Sequence, residues 1–179
     1  MGTLYFTRHG ETSWNIEHKI CGITDIELNE KGKEDARKLA ERIIEEKITI
    51  DEILYSPLSR AKQTAFIISQ AAKIPANEEK LLLERNCGRF EGTLNTAAEF
   101  IAAQKQICND YGGGESMLRV TQRIYNLLDR LTKENGKIYL LVGHNGIARS
   151  VESYFNAELT TEGFVDFRMK NCELRRYDF

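Results

Sequence analysis

The chain has 179 residues, of which 41% are hydrophobic and 29% charged, and 25 basic residues against 27 acidic ones give a formal net charge of −2. This composition is ordinary for a globular protein, and we expect a single domain over residues 1–179. The charge balance excludes the basic surface of a nucleic-acid-binding protein, and the longest apolar runs are too short to cross a membrane, so we expect neither partner.

Strand and helix patterns alternate along the first half of the chain. The predicted elements are a strand at 3–7, a helix at 30–46, a strand at 52–56, a helix at 56–73 and a strand at 80–83. Asn29 is a suitable N-cap for the first helix, and Ser56 can cap the second with Pro57 at its first position.

The second half continues the alternation. It contains a weaker helix at 96–108, a glycine-rich turn at 111–114, a strong helix at 117–131, a strand at 137–142, a helix at 145–155, and two terminal strands, 163–170 and 171–179, joined at a tight turn near Asn171. Strands that alternate with helices predict an α/β fold, a three-layer α/β/α sandwich with a mainly parallel sheet.

Chemically competent side chains follow several of these strands. His9 stands beside Arg8 after the first strand, His144 follows the strand at 137–142, Arg60 lies in the first turn of the helix after the second strand, and Glu84 ends the third. In such folds, ligands bind at the carboxyl ends of the strands. Each residue alone has an ordinary structural explanation, so their convergence is what predicts a site.

Several motifs occur in an order that resembles one known family. They are RHGETSWN at 8–15, CGITDIELNEKGKEDA at 21–36, SPLSRAKQTA at 56–65, LLERNCGRFEG at 82–92, GGGES at 112–116 and VGHNGIAR at 142–149. The pattern covers essentially the whole chain and is similar to that of the histidine phosphatase superfamily, which has the phosphoglycerate mutase-like fold. The resemblance implies a short lid segment around residues 93–114.

The resemblance also implies roles for the residues at the strand ends. His9 would be the nucleophile, and the neighbouring Arg8 should lower the pKa of its imidazole and keep it neutral. Arg8, Arg60 and a His144 protonated on binding would hold the phosphate oxygens, and Glu84 would serve as the acid and then the base. Because arginines supply the positive charge, we expect no metal and no cofactor.

Three further residues are expected at the substrate. By the same resemblance, Asn15 and Gly22 contact the substrate or its phosphate, and Asn145, which opens a helix, can add backbone N–H donors. For Gly22, the role of a plain turn residue is an equal alternative.

Three functions are consistent with the motifs: a phosphomonoesterase, a phosphoglycerate-type mutase, and a non-catalytic module that binds a phosphorylated ligand. A mutase of this family would have a longer lid with adjacent arginines, whereas residues 93–111 contain only Lys105 as a cation. The one Arg-Arg pair, Arg175 and Arg176, lies in the terminal strand, and no tail extends past Phe179 to close the site. We therefore expect the phosphatase, since every residue that a degenerate module would have lost is present.

The substrate class is less closely defined. With few groups in the lid to discriminate between substrates, we expect broad specificity on small phosphorylated metabolites. A phosphoprotein substrate stays open. The four cysteines lie far apart without a Cys-x-x-Cys pair, so we expect reduced thiols in a cytoplasmic protein.

Overall fold

The computed structural model describes residues 2–134 and 136–179. These residues form five strands, namely β1 (Thr3–Arg8), β2 (Glu52–Tyr55), β3 (Ala76–Glu78), β4 (Tyr139–Gly143) and β5 (Leu174–Asp178). They also form seven α-helices, namely α1 (Ser13–Ile16), α2 (Glu30–Glu45), α3 (Ser59–Ala72), α4 (Ala98–Gln104), α5 (Met117–Leu131), α6 (Asn145–Phe155) and α7 (Thr161–Asp166). None of these helices combines the length and the apolarity that a membrane crossing requires.

The strands form one mixed sheet in the order β3-β2-β4-β1-β5. The first four strands are parallel to one another, and β5 runs antiparallel to β1 at the edge. The central strands β1 and β4 are neighbours, with Arg8 opposite Gly143 in the register. Their carboxyl ends therefore lie side by side, and the residues that follow them start from the same edge of the sheet.

Alternating side chains of the central strands supply two separate cores. Phe6 and Leu141 pack with α5 and α6 on one face, whereas Leu140 packs with α2 and α3 on the other. All three side chains are fully buried, and burying a side chain of this size contributes about 1.5–3 kcal/mol. The predicted three-layer α/β/α sandwich with a mainly parallel sheet is confirmed.

The prediction of a strand at residues 80–83 is wrong. Lys80–Leu82 form a single turn of 3-10 helix, in which the Glu79 side chain accepts the backbone N–H of Leu81. A run of three leucines is compatible with a buried strand and with a buried turn, so its apolar pattern does not distinguish them. The Glu79 carboxylate stabilises the turn by capping it. The third strand is the preceding segment, β3, which pairs with β2.

The terminal segment also differs from its prediction. Residues 163–170 do not form a strand, because Thr160 caps α7 by accepting the backbone N–H of Gly163. The predicted turn near Asn171 is confirmed by a hydrogen bond from the Glu173 N–H to the Lys170 carbonyl. Only β5 follows it as a strand.

Helix starts and lengths agree with the sequence in part. Asn29 caps α2 as predicted, with its side chain accepting the N–H of Gly32 at 2.7 Å. The helix predicted from Ser56 begins later, at Ser59, with Leu58 as an N-cap that has no side-chain hydrogen bond. The weaker helix predicted at 96–108 is present but shorter, since α4 covers only Ala98–Gln104.

Candidate active site

Two histidines extend the neighbouring central strands. The backbone N–H of His9 donates to the Gly143 carbonyl at 3.0 Å, which continues the β1–β4 ladder by one residue. The imidazoles of His9 and His144 lie 5.2 Å apart between ring centroids, tilted by 57°. Parallel pairing thus brings together two rings that are distant in sequence.

The His9 ring is held in one tautomer. Its Nδ1 atom lies 2.7 Å from the Gly10 carbonyl oxygen, which can only accept, so Nδ1 carries the proton and Nε2 keeps its lone pair. Burial, followed by the nearby charges of Arg60 and Arg8, lowers the pKa of His9 well below its usual value. The expected direction is therefore confirmed, although burial is a larger cause than Arg8.

His144 is fully buried in the same region. Its Nε2 atom lies 2.7 Å from the Ser56 hydroxyl, and its Nδ1 has no hydrogen-bond partner. Burial is the largest cause that lowers the pKa of His144 well below its usual value, and Arg60 is the next. Ser56, predicted as a helix cap, thus contacts this imidazole.

The two arginines are anchored by backbone carbonyls. Arg8 donates from Nη1 to the Met169 carbonyl at 2.8 Å. Arg60, which is fully buried, donates to the carbonyls of Thr24 at 2.9 Å and Gly22 at 2.7 Å. Carbonyl acceptors orient a guanidinium without neutralising it, so both side chains keep a full positive charge to offer an anion.

Glu84 is fixed at the amino-terminal end of α6. Its Oε1 accepts the N–H of Arg85 at 2.7 Å, and its Oε2 accepts the N–H of Gly146 at 2.9 Å. A Cβ on Gly146 would lie 2.5 Å from Oε1, so this close approach requires glycine. Glu84 follows a 3-10 turn rather than a strand, and it still reaches the same cavity as His9.

Of the three residues expected to contact the substrate, two line the cavity and one does not. Asn15 and Asn145 line the cavity, where Asn15 Oδ1 accepts the N–H of Thr12 and Asn145 Oδ1 accepts the N–H of Met169. Gly22 lies outside the lining, and its N–H donates to Glu91 at 3.1 Å.

The site contains a cavity of about 480 Å³. Of the side chains predicted from sequence, the cavity is lined by Arg8, His9, Asn15, Glu84 and Asn145. Arg60 and His144 are fully buried outside this lining. Within the described ranges 2–134 and 136–179, no cluster of three or more His, Cys, Asp or Glu residues is arranged to hold a metal ion.

Sequence reasoning missed three arginines of the cavity, namely Arg85, Arg149 in α6 and Arg168 after α7. Arg149 is only 6% exposed, and burial, followed by the charge of Arg168, lowers its pKa to about 10. Arg149 ends the motif VGHNGIAR, five positions after His144. An arginine in the first turns of a helix that follows a strand end could have indicated a further cation at the site.

Buried nitrogens without partners are concentrated at this site. Across the part of the chain that the structure describes, four buried side-chain polar atoms lack a hydrogen bond, namely Arg8 Nε, Arg60 Nε, His144 Nδ1 and Arg149 Nε. Leaving a buried donor unpaired costs about 1–3 kcal/mol. An anion with several oxygens is the kind of ligand that can supply the missing acceptors.

The fold and the site together define an α/β protein with a cavity lined by arginines and a histidine at the carboxyl ends of its strands. The model of the histidine phosphatase superfamily (branch 1) matches residues 4–179. The chain therefore belongs to the histidine phosphatase superfamily.

Individual relatives include proteins named as mutases and as phosphatases. The chain is 36% identical over 154 residues to phosphoglycerate mutase-like protein 4 of Arabidopsis thaliana, a match that covers 80% of the chain but only 66% of the plant protein. It is 32% identical to the probable phosphoglycerate mutase GpmB of Salmonella choleraesuis (strain SC-B67), over 98% of the chain and 84% of that protein.

A similar solved structure is that of phosphoserine phosphatase from Entamoeba histolytica in complex with 3-phosphoglyceric acid. Its TM-score is 0.85 and its sequence identity 27%, over 100% of this chain and 91% of that one. Members with this fold thus include at least one protein crystallised with a small phosphorylated metabolite.

Proposed function

We propose that this protein is a phosphomonoesterase that hydrolyses small phosphorylated metabolites through a phosphohistidine at His9. The observation that carries the proposal is the His9 tautomer, because the Nδ1 hydrogen bond to Gly10 leaves the Nε2 lone pair available. The lowered pKa keeps the imidazole neutral at physiological pH, and a neutral nucleophile can approach a phosphate dianion.

The first step transfers the phosphoryl group to the enzyme. Nε2 of His9 forms a bond to phosphorus while the bond from phosphorus to the ester oxygen breaks, and the electron pair stays on that oxygen. Glu84 supplies the proton that the leaving oxygen needs. Arg8 and Arg60 stabilise the charge on the remaining phosphate oxygens, as their unpartnered Nε atoms favour.

The second step releases phosphate. Water attacks phosphorus, Glu84 takes a proton from it, and the bond between phosphorus and Nε2 breaks. This restores neutral His9. His144 would pass from neutral to protonated when the phosphate oxygens come within reach of its unpaired Nδ1. The arginines supply the positive charge in both steps, so the proposed reaction needs no metal ion.

A phosphoglycerate-type mutase is the second candidate, favoured by the names of the two curated relatives. Two observations support hydrolysis instead. Segment 93–114 carries only the short helix α4, and the phosphatase structure from Entamoeba histolytica aligns over the whole chain.

The four unpaired cysteines support a reducing, cytoplasmic location.

The test is a phosphate-release screen over a panel of small phosphomonoesters, with and without a chelator. We expect release of inorganic phosphate that survives chelation and is lost in His9→Ala. Conversion of 3-phosphoglycerate to its 2-phospho isomer without phosphate release would support the mutase. Activity that collapses on chelation and returns with magnesium or zinc would contradict the proposed chemistry.

A further inference from the structure

One end of the cavity carries two arginines that share a single neutral acceptor. Arg149 Nη2 and Arg168 Nη2 each donate to the side-chain oxygen of Gln104, both at 2.9 Å. Within residues 2–134 and 136–179, neither arginine has an acidic side chain within ion-pair distance. Two guanidinium groups therefore converge on an amide oxygen that neutralises neither of them.

Arg85, another buried arginine of the cavity, shows what a structural role looks like here. It donates from Nε to the Glu115 carbonyl, from Nη1 to the Tyr111 hydroxyl and from Nη2 to the Asn109 carbonyl, so every nitrogen has a partner. Arg149 is equally buried, but its Nε has none. Both arginines line the cavity, but the filled donors of Arg85 hold the loop 109–115, whereas Arg149 keeps one donor unfilled.

We propose that Arg149 and Arg168 form a second anion subsite that binds a carboxylate of the substrate. The inference rests on the proposed phosphatase function and narrows it to small phosphomonoesters that carry a carboxylate. A carboxylate presents two charged oxygens in one plane, and a guanidinium group presents its N–H donors in a matching planar fork. Both guanidinium groups already point at one oxygen, that of the Gln104 side chain. This departs from the broad specificity expected from the sequence.

Gln104 lies where it can respond to such a ligand. It belongs to α4 in segment 93–114, and its side-chain oxygen occupies the position between the two arginines that a carboxylate oxygen would take. Ligand binding would exchange a neutral acceptor for a charged one. Charge-assisted hydrogen bonds are about twice as strong as neutral ones, so the exchange favours the carboxylate.

The test compares 3-phosphoglycerate with glycerol 3-phosphate, which resemble each other at the phosphate ester but differ in the carboxylate. For the wild-type enzyme we expect kcat/KM to be at least about tenfold higher on 3-phosphoglycerate. Arg149→Gln and Arg168→Gln should each reduce this preference by about tenfold, mainly through KM, as expected for loss of a charged hydrogen bond.

Two further variants complete the design. Gln104→Glu introduces a nearly isosteric carboxylate that competes for both arginines, and it should lower the preference in the same way. Arg37→Gln removes the same charge from the exposed face of α2, where Arg37 pairs with Glu34, and it should leave both substrates unaffected. If Arg149→Gln does not fold, Arg168→Gln, which alters an exposed residue, and Gln104→Glu carry the test.

Equal losses on the two esters, or no wild-type preference, would overturn the subsite. Its failure is distinguishable from failure of the proposed function by calorimetric titration of the His9→Ala protein with each ester. Tighter binding of 3-phosphoglycerate that Arg149→Gln abolishes supports the subsite even where no phosphate is released. Equal binding of the two esters overturns it even where hydrolysis occurs.

Discussion

Oε2 of Glu84 accepts a hydrogen bond from the backbone N–H of Gly146 at 2.9 Å, although 62 positions separate the two residues in sequence. The N–H lies in the first turn of α6, where backbone amide groups have no acceptor within the helix and can donate to a side chain. The proposed acid is therefore oriented by the same helix that follows His144, which links its position to the β4 strand.

The first prediction concerns this contact. Gly146→Ala places a Cβ 2.5 Å from Glu84 Oε1, so the carboxylate must move. Because small displacements of a catalytic group are costly, we expect kcat to fall by about 10–100-fold on an alkyl phosphate. Steady-state kinetics measure the loss. Gly163→Ala is the control, since its Cβ would approach only the side chains of Leu159 and Thr160, away from the cavity; an equal loss there would contradict the reasoning.

The second prediction tests Glu84 as the leaving-group acid. An alkyl phosphate departs as a strongly basic alkoxide, so Glu84→Gln should slow its phosphorylation step by about 10²–10⁴-fold. A p-nitrophenyl ester leaves as a stabilised phenolate and should lose much less. Single-turnover phosphorylation of both esters is the measurement, because the water-dependent second step would obscure steady-state rates. Equal losses would show that Glu84 does not protonate the leaving oxygen.

The third prediction concerns the guanidinium of Arg60. Arg60→Lys keeps the charge but loses the fork that joins the Gly22 and Thr24 carbonyls to the site. We expect kcat/KM to fall by the equivalent of about 1.5–3 kcal/mol, the value of a charged hydrogen bond. Arg37→Lys on exposed α2 is the matched control. Turnover close to that of the wild type in Arg60→Lys would place Arg60 outside the functional site.

The fourth prediction follows from the lowered pKa values of His9 and His144, which burial mainly causes. The unfolded chain titrates near the ordinary value of 6.5, so below that pH it binds more protons than the native state. The free energy of unfolding should therefore fall as the pH drops below about 6.5, with each histidine contributing a slope of up to about 1.4 kcal/mol per pH unit.

Urea unfolding at a series of pH values measures this slope. The double variant His9→Asn, His144→Asn removes both groups while leaving the carboxylates, so its slope between pH 6.5 and 5 should be clearly smaller. An unchanged slope in the double variant would show that these histidines do not titrate differently in the folded and unfolded chains.

Much of the site was predictable, because the alternation of strands and helices in the sequence predicts a parallel sheet. His9 and His144 each follow an apolar run, and parallel pairing of those runs brings the rings together. Glu84 reaches the cavity of His9 from a different element than predicted, since a leucine run does not distinguish a strand from a 3-10 turn. Residues 163–166 belong to α7 rather than to the predicted strand at 163–170, because Thr160 supplies an N-cap.

The convergence of Arg149 and Arg168 on Gln104, which we propose as a second anion subsite, was not predictable in the same way. Arg149 and Arg168 come from a helix and an irregular segment, and Gln104 comes from a third element. Their convergence depends on how those segments pack, for which no local periodicity gives a signal. Residues 93–111 contain only Lys105 as a cation, because the arginines that face α4 lie elsewhere in the chain.

The most direct test of the central claim is to trap the intermediate. The enzyme is mixed with a radiolabelled phosphomonoester, denatured rapidly in alkali, which preserves phosphohistidine, and digested for peptide mapping. The tautomer fixed by Gly10 predicts label on His9, lost on acid treatment and absent from His9→Ala. Label on His144, or phosphate release with no labelled histidine at all, would contradict the account.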